Sequence, residues 1–176
     1  KKKFFGFLQT KKKFLAILGL IAIIIFGIYS RTRNLKFLKD VTTGDYIPVE
    51  LDSFVILRYA EYIGEHGKMM VMDVLRSYPL GFDPRREFSF ISYFIAYLYK
   101  FVHAFNSSVT IGYIDALYPV ITFTVSLVFF YLTLKRLLDY RYALIATAFL
   151  TVVPTYLYTT IAGFSDKEAL AMMLMF

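Results

Sequence analysis

Cysteine and tryptophan are absent from the 176 residues, and histidine occurs only twice. Without cysteine the chain can build neither a disulfide framework nor a thiolate metal site. Any metal it holds must therefore sit on oxygen ligands, with His66 and His103 as the only imidazoles, and such a donor set favours a hard cation. There is no internal repeat, no glycine-rich phosphate loop, and no low-complexity tract apart from a lysine cluster at the start. A repeat architecture and a P-loop nucleotide site are excluded.

Apolar and aromatic residues fill the space. The chain is 58% hydrophobic and carries 19 Phe and 15 Tyr, too much for an ordinary soluble domain and in keeping with a membrane protein. The formal net charge of +7 could suit nucleic acid, but the excess is concentrated in Lys1, Lys2, Lys3, Lys11, Lys12 and Lys13. Those lysines border an apolar run, which makes them a membrane flank, and no nucleic-acid partner is expected.

The order of apolar runs predicts a topology. Residues 1–13 form a cytoplasmic basic N-terminus, and 14–30 a first transmembrane helix inserted by the positive-inside rule. The end of that run lacks a small-x-small cleavage site, so it is a retained span and not a signal peptide. Residues 31–110 form a long external loop, long enough to imply a task. A second span covers 111–134, a cytoplasmic loop 135–141 holds Lys135, Arg136 and Arg141, and a third span covers 142–162. Residues 163–168 return to the outside, and 169–176 begin a fourth span. Phe88 to Phe105 is nearly long enough to cross. Its stripe of Ser89, Ser92, Ala96, Lys100 and His103 predicts an interfacial helix along the outer leaflet instead.

Two acidic motifs fall on the outer face in this scheme. Glu50-Leu51-Asp52 opens a helical stretch, with Asp52 as the natural N-cap. Gly163-Phe164-Ser165-Asp166-Lys167-Glu168 places two carboxylates between apolar runs, where they are costly. In an extended or turn conformation Asp166 and Glu168 could grip one cation, whereas in a continuous helix they would diverge by about 200°. Ser165 with Glu168 also reads as a capping box that starts the next helix without any chemistry. Tyr78-Pro79-Leu80-Gly81 makes a turn, Asp83-Pro84 starts a helix running through Phe88 to Phe105, and Met69 to Met72 is locally strand-like. Asn106-Ser107-Ser108 matches an N-glycosylation sequon, and Asp115 sits near the outer end of the second span.

The order and spacing of these motifs resemble the oligosaccharyltransferase catalytic-subunit family, the STT3 and AglB type. The run Asp52 to Tyr62, the turn Tyr78 to Pro84 and the stretch Gly163 to Glu168 carry the likeness, and the aliphatic, lysine-rich segments look archaeal. The resemblance implies an all-α polytopic membrane protein with the GT-C type glycosyltransferase fold, of which this chain is the N-terminal part. Its activity would be transfer of a glycan from a polyprenyl (dolichyl) phosphate or pyrophosphate carrier to Asn of an Asn-x-Ser/Thr acceptor, at the external face of the cell membrane. The partners implied are a lipid-linked oligosaccharide, an acceptor polypeptide and membrane lipids. Asp52, Asp166 and Glu168 would be the catalytic residues and the ligands of a Mg or Mn cation. Lys167 departs from the Asn usual between the two acids, and the alternation of an extended segment would point it away from the metal. A later external loop and a Trp-Trp-Asp-Tyr-Gly domain are missing from this chain, so by itself it is expected to be inactive. A related lipid-carrier enzyme such as a protein O-mannosyltransferase, and a transporter fragment with acids along an aqueous path, are the rival readings.

Overall fold

The computed structural model describes the backbone of residues 2–176 and the side chains from Phe14 onward, so the basic segment 1–13 lies outside the described side chains. Among the described residues the chain is helical, and extended pairing is limited to two isolated bridges, Lys39 with Tyr46 and Asp73 with Phe82. Helices α1 (Lys2–Thr32) and α4 (Ile111–Leu137) are long and apolar enough to cross a membrane. At 1.5 Å per residue the 27 residues of α4 reach about 40 Å, more than the ~30 Å of a bilayer's hydrocarbon. Much of α1 faces outward, with Phe14, Leu15, Ile17, Ile21, Ile25 and Phe26 exposed, as a lipid-facing helix would be.

The third apolar run is broken. α5 (Tyr140–Val152) stops and α6 (Pro154–Thr159) begins at a proline, which has no N–H to continue the ladder and forces its predecessor out of the helical region. Arg31, wholly buried, repairs the break. Both its terminal nitrogens donate to the carbonyl of Thr151 at 3.2 Å, and its Nε donates to Thr160 Oγ1 at 2.7 Å. The guanidinium lies 3.5 Å from the centroid of the Phe123 ring, a cation–π interaction that offsets part of its desolvation. A turn below, Gly27 is required because a Cβ there would run into the Phe123 ring.

α2 (Leu51–His66) and α3 (Phe90–Phe105) pack against each other and lean on α4, and α7 (Lys167–Met175) also packs on α4. One apolar cluster joins all four through Tyr59, Ile63, Ile91, Ile95, Tyr118 and Leu170. The small members of the α3 stripe, Ser92 and Ala96, are buried, and Ser92 Oγ donates to the Ile56 carbonyl of α2 at 3.1 Å; small side chains there let the two helices approach closely. Two sequence expectations change here. Asp83 caps a separate 3-10 turn, Pro84–Arg86, and α3 starts only at Phe90. The break between them leaves Glu87 extended, which frees its carboxylate to meet Arg76. Met69 to Met72 forms no strand; the Met69 N–H donates to the Tyr93 hydroxyl at 2.9 Å.

Candidate active site between two acidic segments

The acidic motifs are brought together by backbone. The loop Thr160 to Ser165 is fastened on three sides: Ala162 N–H donates to the Arg31 carbonyl at 3.0 Å, Asn34 Nδ2 donates to the Ala162 carbonyl at 2.7 Å, and Gly163 N–H donates to the Ala116 carbonyl at 2.9 Å. Val49 N–H then donates to the Gly163 carbonyl at 3.0 Å. Glu50 follows immediately on one side of this junction and Asp166 three residues later on the other. Gly163 has φ +88, and a Cβ on it would lie 2.8 Å from Leu38 Cδ1 and 2.9 Å from Val49 Cγ2. Only glycine combines that backbone with that proximity.

Glu50, Asp52 and Asp166 each place a carboxylate oxygen within 4.8 Å of the others. The caps differ from those the sequence predicts. Glu50, not Asp52, caps α2, accepting from the N–H groups of Asp52 and Ser53 at 2.8 and 3.4 Å. Asp52 is left in the first turn with no capping role. Asp166, not Ser165, caps α7, accepting from Lys167 N–H at 2.6 Å, while Ser165 is buried. Asp166 is extended and Glu168 already helical, yet the two carboxyls remain neighbours. Glu168 stands outside the three-carboxylate group, with one buried oxygen, Oε2, that has no hydrogen-bond partner among the described residues. Burial raises its carboxyl above the ordinary range, and the adjacent Asp166 adds to the shift. Lys167 does not point away: its Nζ stands 4.0 Å from both Asp52 Oδ2 and Asp166 Oδ1.

A cavity of about 280 Å³ opens beside the acids, walled by Asp52, Asp166, Lys167, Tyr59, Arg76 and Glu87. One wall belongs to a polar network that no sequence pattern singles out. Arg76 grips Glu87 bidentately at 2.8 and 2.9 Å and donates to the Tyr59 hydroxyl at 3.0 Å. Tyr59 donates to buried Asp73 at 2.9 Å, and Asp73 also pairs with Arg58. The Arg76 hydrogen bonds hold the Glu87 carboxyl below its ordinary range. Acids and arginines drawn from three separate segments carry no periodic signal, so only folding reveals them. The two histidines are elsewhere: His66 stacks on Tyr62 at 4.1 Å and lies 3.1 Å from its carbonyl, and His103 lies 3.1 Å from the Val109 carbonyl. Asp115 is buried in α4.

Over residues 14–176 the chain matches the family model described as oligosaccharyl transferase STT3, N-terminal. Among solved structures it is similar to the archaeal oligosaccharyltransferase AglB from Archaeoglobus fulgidus in complex with an inhibitory peptide and a dolichol-phosphate, at 20% identity and a TM-score of 0.72. That likeness covers 90% of this chain but 18% of the AglB chain, and at this identity it shows a shared fold, the GT-C type. No curated protein matches the chain.

Proposed function

The chain belongs to the oligosaccharyl transferase STT3 family, and on that premise we propose that it supplies the acidic half of a glycosyltransferase site that moves a glycan from a lipid carrier to an asparagine side chain. The carrier is a polyprenyl phosphate or pyrophosphate, of the dolichyl class found with the similar AglB structure, and the acceptor is a polypeptide with an Asn-x-Ser/Thr sequon. The single observation that carries this reading is the meeting of Asp52 and Asp166, from segments more than a hundred residues apart, at one cavity.

The donor set fits a divalent cation of the Mg or Mn class. Three carboxylates lie within 4.8 Å of one another, an arrangement that repels itself without a cation, and the buried Glu168 Oε2 has no hydrogen-bond partner among the described residues. Asp52 and Asp166 would hold it together with Glu50, and Glu168, beside Asp166, would be a further oxygen donor. When bound, such an ion supplies positive charge that offsets the charge developing on the leaving phosphate.

The rest falls to the chain's own groups. An exposed carboxylate such as Asp52 accepts a hydrogen bond from the acceptor amide N–H and orients its nitrogen toward the sugar C1. As the C1–N bond forms and the C1–O bond to phosphate breaks, the amide proton passes to a carboxylate and the carrier phosphate leaves with the electron pair. The topology proposed with this chemistry keeps 1–13 in the cytoplasm, spans at 14–30, 111–134 and 142–162, a cytoplasmic turn at 135–141, and both acidic motifs outside. A fourth span starts at 169–176.

The test is transfer of a lipid-linked oligosaccharide to a sequon peptide by the full-length protein. Asp52→Ala and Asp166→Ala are each expected to lower glycopeptide formation by at least about 100-fold, in line with the loss of a group that stabilises transition-state charge. Unchanged transfer in both variants would overturn the assignment.

A further inference from the structure

Among the described residues, the cations at or beside this cavity are used differently. Arg58 is committed to Asp73 and Arg76 to Glu87. Lys167 alone among the described residues reaches both acidic motifs, with Nζ at 4.0 Å from Asp52 and 4.0 Å from Asp166. It is brought there because α7 starts at residue 167: the helical turn swings the side chain back across Asp166, where an extended chain would have sent it to the opposite side. Both separations are at the outer limit of an ion pair, and the lysine side chain is 65% exposed, so the pairing is loose. A flexible stem with a compact charge leaves such a position easily.

We propose that Lys167 is the resident counter-ion of the Asp52–Asp166 pair, and that a divalent cation enters the site by displacing it. Lys167 thereby sets the affinity of the site. This inference rests on the metal reading given above. In the ion-free protein the ammonium offsets part of the repulsion between the two acidic segments, which the backbone junction holds together. With a divalent ion between the carboxylates, the same ammonium is repelled by it and must withdraw along the cavity wall. Entry of the ion is an exchange. Its free energy is diminished because the Lys167 ion pairs must break and because a like charge stays nearby.

The test is Mn²⁺ binding to the full-length protein in detergent at fixed pH and ionic strength, followed by the loss of the free-ion electron paramagnetic resonance signal. Lys167→Met is expected to bind Mn²⁺ roughly threefold to tenfold more tightly than the wild type, the scale on which one charge acts on a divalent ion across a few ångströms of wet surface. Lys167→Arg, which keeps the charge, is expected to stay within about twofold of the wild type. In the absence of metal Lys167→Met is expected to melt at a lower temperature than the wild type, with Mn²⁺ raising its midpoint by more. Should Lys167→Met not fold, Lys167→Gln makes the same comparison. A folded neutral variant with wild-type or weaker Mn²⁺ affinity would overturn the proposal and leave the metal site standing. If wild type, Asp52→Asn and Asp166→Asn all fail to bind Mn²⁺ alike, the metal reading itself falls and takes this inference with it.

Discussion

Val49 and Gly163 are joined by a backbone hydrogen bond of 3.0 Å across more than a hundred residues of sequence. Through it, the segment that leads into Glu50 and Asp52 lies against the segment that leads into Asp166. Two carboxylate-bearing helix starts would otherwise separate, because their charges repel and each would be better solvated alone. The neutral pairing just upstream of both motifs holds them at a distance that electrostatics opposes.

Gly163→Ala tests that junction. A left-handed φ costs an ordinary residue about 1–2 kcal/mol, and the added methyl also meets Leu38 and Val49 at under 3 Å. The expected outcome is a loss of about 2 kcal/mol or more in stability, read from thermal or denaturant unfolding in detergent. Mn²⁺ affinity is expected to fall with it, because the clash displaces the Glu50 side of the site. Wild-type affinity in a destabilised Gly163→Ala would show that the junction stabilises the fold without positioning the acids.

Glu50 has two roles that one substitution separates. A carboxylate has two oxygens, and the cap of α2 uses Oε2 alone. Glu50→Gln keeps an oxygen acceptor for the cap and removes the charge, so stability is expected to change by less than about 1 kcal/mol. Mn²⁺ affinity is expected to drop several-fold. Glu50→Ala loses both, with about 1 kcal/mol of stability gone as well. Equal Mn²⁺ affinity in Glu50→Gln and wild type would restrict Glu50 to capping.

The Arg76–Glu87 pair governs part of the acid response. Its hydrogen bonds depress the Glu87 carboxyl in the folded state, so its contribution to stability is fully present above the ordinary glutamate value of about 4.3. That contribution is lost as pH falls through the lower folded value, because the unfolded chain takes up the proton first. Glu87 is 44% exposed, and solvent screening keeps the effect small. Melting temperature measured from about pH 6 down to about pH 3 is expected to fall less steeply in Glu87→Gln than in the wild type. Parallel acid limbs would show that the pair adds nothing to stability.

Ser107 reports on the proposed topology. It is exposed in the turn between α3 and α4, and the chain has no cysteine of its own. In sealed vesicles, Ser107→Cys is expected to react with a membrane-impermeant thiol reagent from the external side alone. Labelling from the cytoplasmic side would mean that residues 88–105 cross the bilayer and that the acidic motifs lie on the other face.

Composition and order alone determined the helical membrane class, the two long apolar helices and the two acidic motifs of this family. Those features are set by burial of apolar surface and by local patterning, which persist wherever the chain folds. Tertiary structure decided the details that turn motifs into a site. A helix start moves by a residue or two with the backbone angles at its boundary, and here those angles are fixed by distant partners. The Gly163 junction therefore makes Asp166 the cap in place of Ser165, and the segment paired with it makes Glu50 the cap in place of Asp52. The start of a helix at residue 167, where an extended segment was expected, likewise brought the Lys167 ammonium near Asp52 and Asp166. Arg31 at the Pro154 break and the Arg58–Asp73–Tyr59–Arg76–Glu87 network were illegible for a related reason: their partners are scattered along the chain, and charge or hydrogen-bond complementarity between distant side chains has no period in sequence.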